Sequence, residues 1–473
     1  MAFNTAGFWA FFAIVLLVSA ILHGRNRLRV LFLSAASFYF YYASNGYLTL
    51  LIVFATFFDF IAAKRIFASS VDAVKKRWMI ASITSNLLIL CVFKYSNLFL
   101  STAAHAVNVL GFHVSVPTIG LLLPVGISFY TFEAISYVVD VYKGRVEPQK
   151  RWLSFNYFIV FFPKLTAGPI IRPKTFFDNV AKGYALSEAA FESSVQMIFL
   201  GLFQKVILAD RFAPLADAVY GGTAAPDSFT TLAGIYAFSL QIYFDFVGYT
   251  NIAIGTAGLL GVALPDNFRR PYIATCLSDF WKRWHISLST WLRDYLYIPI
   301  GGGRGSLLMT CRNLMITMTL GGLWHGASWN FAIWGALNGI LLCMERVTGV
   351  EQRITALLAN RGVLARAGWS FLTFNVFALL WVPFRAHTFG EFAGVLKRLF
   401  VVSLPRELRL YDLLVCLIAA AAVVCCVCDE QFDLSGRFAR LHPLLRAPVF
   451  AGVIVASLAF SSEGNQPFIY FRF

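Results

Sequence analysis

Charge is scarce in this sequence. Asp, Glu, Lys and Arg together make 13% of its 473 residues, where a soluble globular domain carries about 25%. Period-two alternation in segments of about ten residues is also missing, which excludes a membrane β-barrel. Acidic residues are fewer than basic ones, 24 against 39, for a net charge of +15. The Lys and Arg residues lie between hydrophobic runs rather than in one patch or tail. That pattern sets nucleic acid aside as a partner and fits cationic loops against anionic membrane lipid. No internal repeat and no low-complexity linker interrupts the chain. The eight cysteines (Cys91, Cys276, Cys311, Cys343, Cys416, Cys425, Cys426 and Cys428) form no disulfide framework. Cys425 and Cys428 have CxxC spacing, but no second Cys or His pair lies near them. Within AAAAVVCCVC they read as packing residues, and no metal is implied.

What the sequence has instead is apolar length, 59% hydrophobic residues in recurrent runs. A helix needs about 20 residues to cross a bilayer core. Runs of that order lie near 8–23, 28–43, 46–63, 78–98, 118–141, 188–208, 230–252, 307–324, 327–343, 367–384, 410–428 and 444–461. The fold class is an all-α polytopic membrane protein with about 11–12 spans, read as one integral membrane domain over 1–473. A further run, Trp152 to Ile171, contains Pro163, Lys164, Gly168 and Pro169. It suits a re-entrant or interfacial element better than an unbroken helix. The first run precedes its positive charges, Arg25, Arg27 and Arg29. That is the reverse of a cleaved signal peptide, so a retained span with an outside N-terminus is expected.

Basic residues cluster at 24–29, 64–77, 143–151 and 269–312, whereas 97–117 and 212–268 contain none. The positive-inside rule puts the first set in the cytoplasm and the second outside. One stretch breaks the alternation. Residues 385–409 carry five basic residues where the span count predicts outside, so one later run is expected to be a surface or re-entrant helix.

The region Asp279 to Gly303, DFWKRWHISLSTWLRDYLYIPIGGG, is too charged to span. Trp281, Trp284, Leu288, Trp291 and Leu292 recur at helical spacing, with Lys282, Arg283, Arg293 and Asp294 between them. This predicts an amphipathic helix at the cytoplasmic interface. His285 lies in it, either as an aromatic-belt residue or as a functional group. The turn GGGRG (301–305) lacks the GK[ST] ending of a phosphate loop. It reads as a cytoplasmic turn, with Arg304 and the loop N–H groups as candidate contacts for the phosphates of a cytosolic molecule.

Between Asn313 and Cys343 there is no Asp, Glu, Lys or Arg, yet GGLWHG puts His325 in the middle. A low-dielectric surrounding disfavours a charged imidazolium, and a neutral ring with a free nitrogen is what a general base requires. Intramembrane ionisable residues are usually functional. The alternative is packing. Gly322 and Gly326, like Gly335 and Gly339, have small-xxx-small spacing, with the histidine bonded to a backbone carbonyl. The run QIYFDFVGYTN (241–251) is the other polar intrusion. Its Asp245 is the one charge between Phe229 and Pro265, suited to orienting a histidine, holding an ion or pairing with an arginine from elsewhere.

Seven segments come in one order: FPKLTAGPIIRP (162–173), QIYFDFVGYTNIAIG (241–255), NFRRPY (267–272), FWKRWHISLSTWLRDYLYIPIGG (280–302), GGLWHG (321–326), WVPFRA (381–386) and PFIYFRF (467–473). Together they resemble the membrane-bound O-acyltransferase superfamily, in its bacterial alginate O-acetyltransferase-like branch. The resemblance runs from the first spans to the last residue and departs at Lys282, where arginine is common, and at Thr290. It implies a multi-span helical fold around a tunnel, with about 264–343 as the catalytic core segment. It implies acyl transfer from a cytoplasmic donor, expected to be acetyl-CoA, to a hydroxyl on the other side. The family's intramembrane histidine maps onto His325 and its cytoplasm-side histidine onto His285.

On that resemblance His325 is the expected general base, and His285 orients the donor or receives a proton. Asp245, Tyr243 and Asn251 are candidate supporting groups, and Arg283 and Arg304 candidate donor contacts. The expected setting is the cell inner membrane, with an alginate-like exported polysaccharide as final acceptor. A separate periplasmic acetyltransferase is an expected partner, because the stretches between spans are short. Two alternatives stay open at this point. One is transfer of D-alanyl groups, or transfer to peptidoglycan or cellulose. The other is a transporter in which His325 and Asp245 relay protons.

Overall fold

A backbone in apolar surroundings must satisfy its own N–H and C=O groups, so long apolar runs become helices. The computed structural model describes residues 3, 5–221, 227–401, 410–459 and 468. Of the terminal PFIYFRF only Phe468 is among them, and residues 402–409 of the loop that breaks the charge alternation are not. Among the described residues all regular structure is helical. The helices are α1 (Ala6–Ile21), α2 (Asn26–Asn45), α3 (Thr49–Ala68), α4 (Asp72–Leu90), α5 (Ser96–Val109), α6 (Ile127–Tyr142), α7 (Trp152–Val160) and α8 (Phe162–Leu165). Then come α9 (Pro173–Ala181), α10 (Glu188–Leu202), α11 (Asp210–Tyr220), α12 (Ser228–Leu259), α13 (Leu277–Arg283), α14 (Ile286–Leu292), α15 (Leu307–His325) and α16 (Trp329–Thr348). The chain continues with α17 (Val350–Leu358), α18 (Val363–Arg385), α19 (Phe389–Phe400), α20 (Leu410–Phe432), α21 (Leu434–Ala439) and α22 (Pro443–Ala459). Four helical stretches among the described residues combine the length and apolarity to cross a bilayer: Asn26–Ala68, Asp72–Val109, Val363–Arg385 and Leu410–Phe432.

Two compact units divide the chain, residues 1–198 with 249–265 and residues 199–248 with 266–473. In the first unit, buried polar groups meet in pairs, as they must where water is absent. Asp59 on α3 accepts from Ser82 Oγ at 2.5 Å and Asn86 Nδ2 at 2.8 Å, both on α4. Lys164 on α8 pairs with Glu133 on α6, both buried. Arg29 on α2 donates to Ser19 Oγ at 2.9 Å and to the carbonyl of Leu260. The run 152–171 is broken, as its prolines and glycine suggest. Helix α7 ends at Val160, Phe161 turns the chain, α8 is one turn long, and 154–171 are buried except Ser154.

The second unit is organised around the hairpin of α15 and α16. Ser328 caps α16, its Oγ accepting from Asn330 N at 3.3 Å. The two backbones touch at glycines. A Cβ added to Gly322 would overlap the Phe331 carbonyl oxygen and stand 2.9 Å from Gly335 Cα. One added to Gly335 would overlap the Met318 carbonyl and stand 2.9 Å from Thr319 Cα. The small-xxx-small spacing is therefore packing, and α16 occupies the space beside these glycines.

The region 279–303 differs from the single amphipathic helix expected. The sidedness holds: Phe280, Trp284, Leu288 and Trp291 are buried and Lys282 is exposed. The continuity does not. Helix α13 stops at Arg283, α14 begins at Ile286, and a π-helical turn, Arg293–Tyr297, follows. The cause lies outside the segment. Residues 267–269 run alongside the break, with Arg269 N donating to Arg283 O and Ile286 N to Asn267 O, both at 2.9 Å. Glu345 of α16 holds the start of α13, its carboxylate accepting from Leu277 N at 2.9 Å, Ser278 N at 3.2 Å and the Ser278 hydroxyl. A carboxylate at a helix N-terminus satisfies donors that have no partner in the helix.

Candidate active site

His325 is the last residue of α15, where Gly326 leaves the helix with an extended backbone. It is 6% exposed. Aromatic rings surround it: Trp324 at 5.0 Å between centroids, Trp334 of α16 at 5.2 Å and Phe384 of α18 at 5.3 Å. All three stand nearly edge-on to the imidazole. Asn330 ties this corner to the end of α18 through the Ala386 carbonyl, at 2.8 Å.

A cavity of about 200 Å³ reaches the histidine. Trp281, Leu288, Leu292, Met318, Gly321 and Trp334 line it, and Arg293 and Tyr297 stand in the same wall. The walls are almost wholly apolar, and the Arg293 side chain is 59% exposed. An apolar cavity whose lining holds both an imidazole and an exposed arginine, itself paired with Asp294 at 2.8 Å, suits a thin chain with an anionic head.

His285 is fully buried at the break between α13 and α14. Neither seven-residue helix is long enough to span, and desolvation pushes the imidazole down to about 3, so the ring is neutral. Phe246 packs edge-on to it at 4.7 Å, and Trp324 lies 6.1 Å away. One indole, Trp324, thus touches both histidines. Asn267 Oδ1 lies 3.1 Å from His285 Nδ1.

The other residues singled out from the sequence have different surroundings. Tyr243 packs against Tyr272 at 5.4 Å, Phe268 at 6.0 Å and Trp284 at 6.1 Å, behind the His285 segment. Asp245 forms an ion pair with Lys205, which sits in a π-helical turn and also reaches Asp210 at 2.8 Å. The partner is thus a lysine from forty positions earlier, not the arginine expected from the sequence. Asn251 is buried in the part of α12 that belongs to the first unit. Arg283 pairs with Asp279 at 2.8 Å and Glu430 at 3.3 Å, in a cluster with Arg270 and Asp429. Arg304 is exposed on the glycine turn, whose Gly302 carbonyl accepts from Asn313 Nδ2 at 2.9 Å. Neither Arg283 nor Arg304 lines the His325 cavity, whereas Arg293 does.

Sequence reasoning missed Arg293 as a cavity residue, Asn267 as the neighbour of His285, and Lys205 as the partner of Asp245. Arg293 carried a signal in its place among the charges of the amphipathic segment, and Asn267 in heading NFRRPY; Lys205 carried none. The Lys205 pair gives a direct test. Removing one partner of a buried ion pair costs about 3–5 kcal/mol, mostly through the charge left behind. Lys205→Met is expected to lower the melting temperature of the purified protein strongly, and Lys205→Met with Asp245→Asn to recover much of the loss.

The chain is similar to known proteins. Residues 150–380 match the model of the MBOAT, membrane-bound O-acyltransferase, family. The probable alginate O-acetylase of Pseudomonas aeruginosa is 39% identical, over 82% of this chain and 72% of that protein. The probable alginate O-acetylase of Pseudomonas putida is 32% identical over the whole of both chains. The peptidoglycan O-acetyltransferase of Helicobacter pylori is 35% identical, over 78% of this chain and 73% of its own. With a multi-helix apolar fold and a relative that matches from end to end, the chain belongs to the membrane-bound O-acyltransferase family and is a multi-pass membrane O-acyltransferase.

Proposed function

We propose that the protein takes an acetyl group from acetyl-CoA at the cytoplasmic face of the inner membrane and passes it across for O-acetylation of an exported, alginate-like polysaccharide. The observation that carries this reading is the cavity that joins Arg293 to His325. A pantetheine arm is thin and mostly apolar, and its nucleotide end is anionic. Arg293 is the cation best placed for that end, and Arg304 adds charge on the neighbouring turn. Arg283, held by Asp279 and Glu430, contributes to the charge of the same face.

In this reading 264–343 is the core segment and His325 is the general base. The acceptor hydroxyl gives its proton to the imidazole as its oxygen attacks the thioester carbonyl. The C–S bond breaks, and the imidazolium returns the proton to the departing thiolate. The aromatic cage excludes water, which protects the thioester from hydrolysis. His285 holds the donor on the cytoplasmic side, and Asp245, Tyr243 and Asn251 support the framework. The acceptor at His325 is either the polymer or a hydroxyl of a periplasmic transferase that completes the relay.

Mass analysis of polymer from cells with and without the gene tests the acyl group. Acetyl esters lost with the gene are expected. Loss of D-alanyl esters, or no loss of any ester, would overturn the acetyl assignment.

A further inference from the structure

The backbone at His285 is unusual. Its φ of 43° and ψ of 53° lie in the left-handed region, which side chains with a Cβ rarely adopt. Asn267 accounts for it. The residue is 1% exposed, and its main-chain carbonyl accepts from Ile286 N at 2.9 Å. Its side-chain oxygen lies 3.2 Å from Ser287 N, 2.8 Å from Ser287 Oγ and 3.1 Å from His285 Nδ1. One asparagine thus holds three consecutive residues, 285 to 287, and fixes both the turn and the ring.

The same contacts decide where the imidazole proton sits. An amide can be turned end for end without changing its shape, so its neighbours must settle which end is oxygen. Here Ser287 N settles it. A backbone N–H can only donate, so the amide atom facing it is the oxygen. That oxygen also faces His285 Nδ1 and has only lone pairs to offer. Nδ1 must therefore carry the proton. A neutral imidazole has one, which leaves the lone pair on Nε2.

We propose that Asn267 is a positioning residue that locks His285 as the Nδ1–H tautomer, with Nε2 as the acceptor nitrogen of the ring. The inference rests on the reading of His285 as the donor-side histidine. On that reading a ring in this tautomer accepts rather than donates at Nε2, so the donor group suited to it is an N–H or S–H, as in a pantetheine amide or the free thiol product. The tautomer also divides the labour between the two histidines. A ring locked in this tautomer has no proton on Nε2 to give a departing thiolate, so that proton comes from His325.

The test uses the full-length protein in lipid nanodiscs with ¹⁵N-labelled histidine, the His285 signals being assigned by their loss in His285→Gln. In the wild type, Nδ1 is expected to be protonated and Nε2 not. Asn267→Asp keeps an acceptor in place and is expected to keep both the tautomer and most of the acetyl-transfer rate. Asn267→Leu removes the acceptor. The tautomer is expected to become mixed and the rate to fall about 10–100-fold, the size of loss seen when the orienting partner of a metal-bound histidine is removed. A protonated Nε2 in the wild type would overturn the proposal, and that spectrum alone decides if Asn267→Leu does not fold. An unchanged tautomer in a folded Asn267→Leu protein would overturn it too. Should the tautomer behave as expected while His285→Ala transfers acetyl at the full rate, the donor-side role of His285 fails and the positioning by Asn267 stands.

Discussion

His325→Ala is expected to abolish detectable acetyl transfer while the protein still inserts and purifies as a single species. General-base catalysis contributes about 10²–10⁴-fold to a rate, and among the described residues no second imidazole lines the cavity to take over. The substitution removes a ring that touches Trp324, Trp334 and Phe384, so a modest drop in melting temperature accompanies it. His325→Phe separates the two effects. It keeps an aromatic ring among those three and supplies no base, so stability near the wild-type value with no activity is expected. Activity in either variant above about a tenth of wild type would remove His325 from the chemistry, since that is less than the smallest general-base effect.

The second large effect concerns packing. Gly335→Val is expected to leave little folded protein in detergent. Overpacking usually costs about 1–3 kcal/mol because side chains move aside. Here the new atoms would meet the Met318 carbonyl and Thr319 Cα, which are backbone. Relief requires α15 and α16 to separate, and His325 sits at the end of that contact. Gly368 on α18 is the control, because a Cβ there meets nothing within 4 Å. Gly368→Ala is expected to match or slightly exceed wild-type stability, since alanine is the better helix former by about 0.4–1 kcal/mol. Equal melting temperatures for the two variants would mean that the hairpin is looser than its geometry implies.

The helices were legible in the sequence wherever a local property decided them. Apolar length marks α15, α16, α18 and α20 close to their observed bounds, and the prolines and glycine of 152–171 announce a broken element. His325 stood out as an imidazole among uncharged residues, whereas His285, set among tryptophans and basic residues, was singled out only by the resemblance. What escaped was set by partners far along the chain. Nothing in FWKRWHISL signals a helix break, because each of its residues tolerates a helix. The break comes from Asn267, eighteen positions earlier. Lys205 and Asp245 are forty positions apart, and Glu345 lies more than sixty positions from the helix start it caps. The glycines around His325 differ in what stands beside them. The backbone of α16 fills the space beside Gly322, the Phe331 ring fills that beside Gly326, and only Gly321 borders the cavity.

The most direct measurement follows the acyl group across the membrane. Inverted inner-membrane vesicles, cytoplasmic face outward, would be given acetyl-CoA labelled in the acetyl group. The polymer inside and the thiol released outside are then measured together. With the wild type, label is expected on lumenal polymer in step with free CoA outside, and with His325→Ala neither is expected. Labelled lumenal polymer that appears equally with His325→Ala, or CoA release that leaves the lumen unlabelled, would contradict transfer through this site.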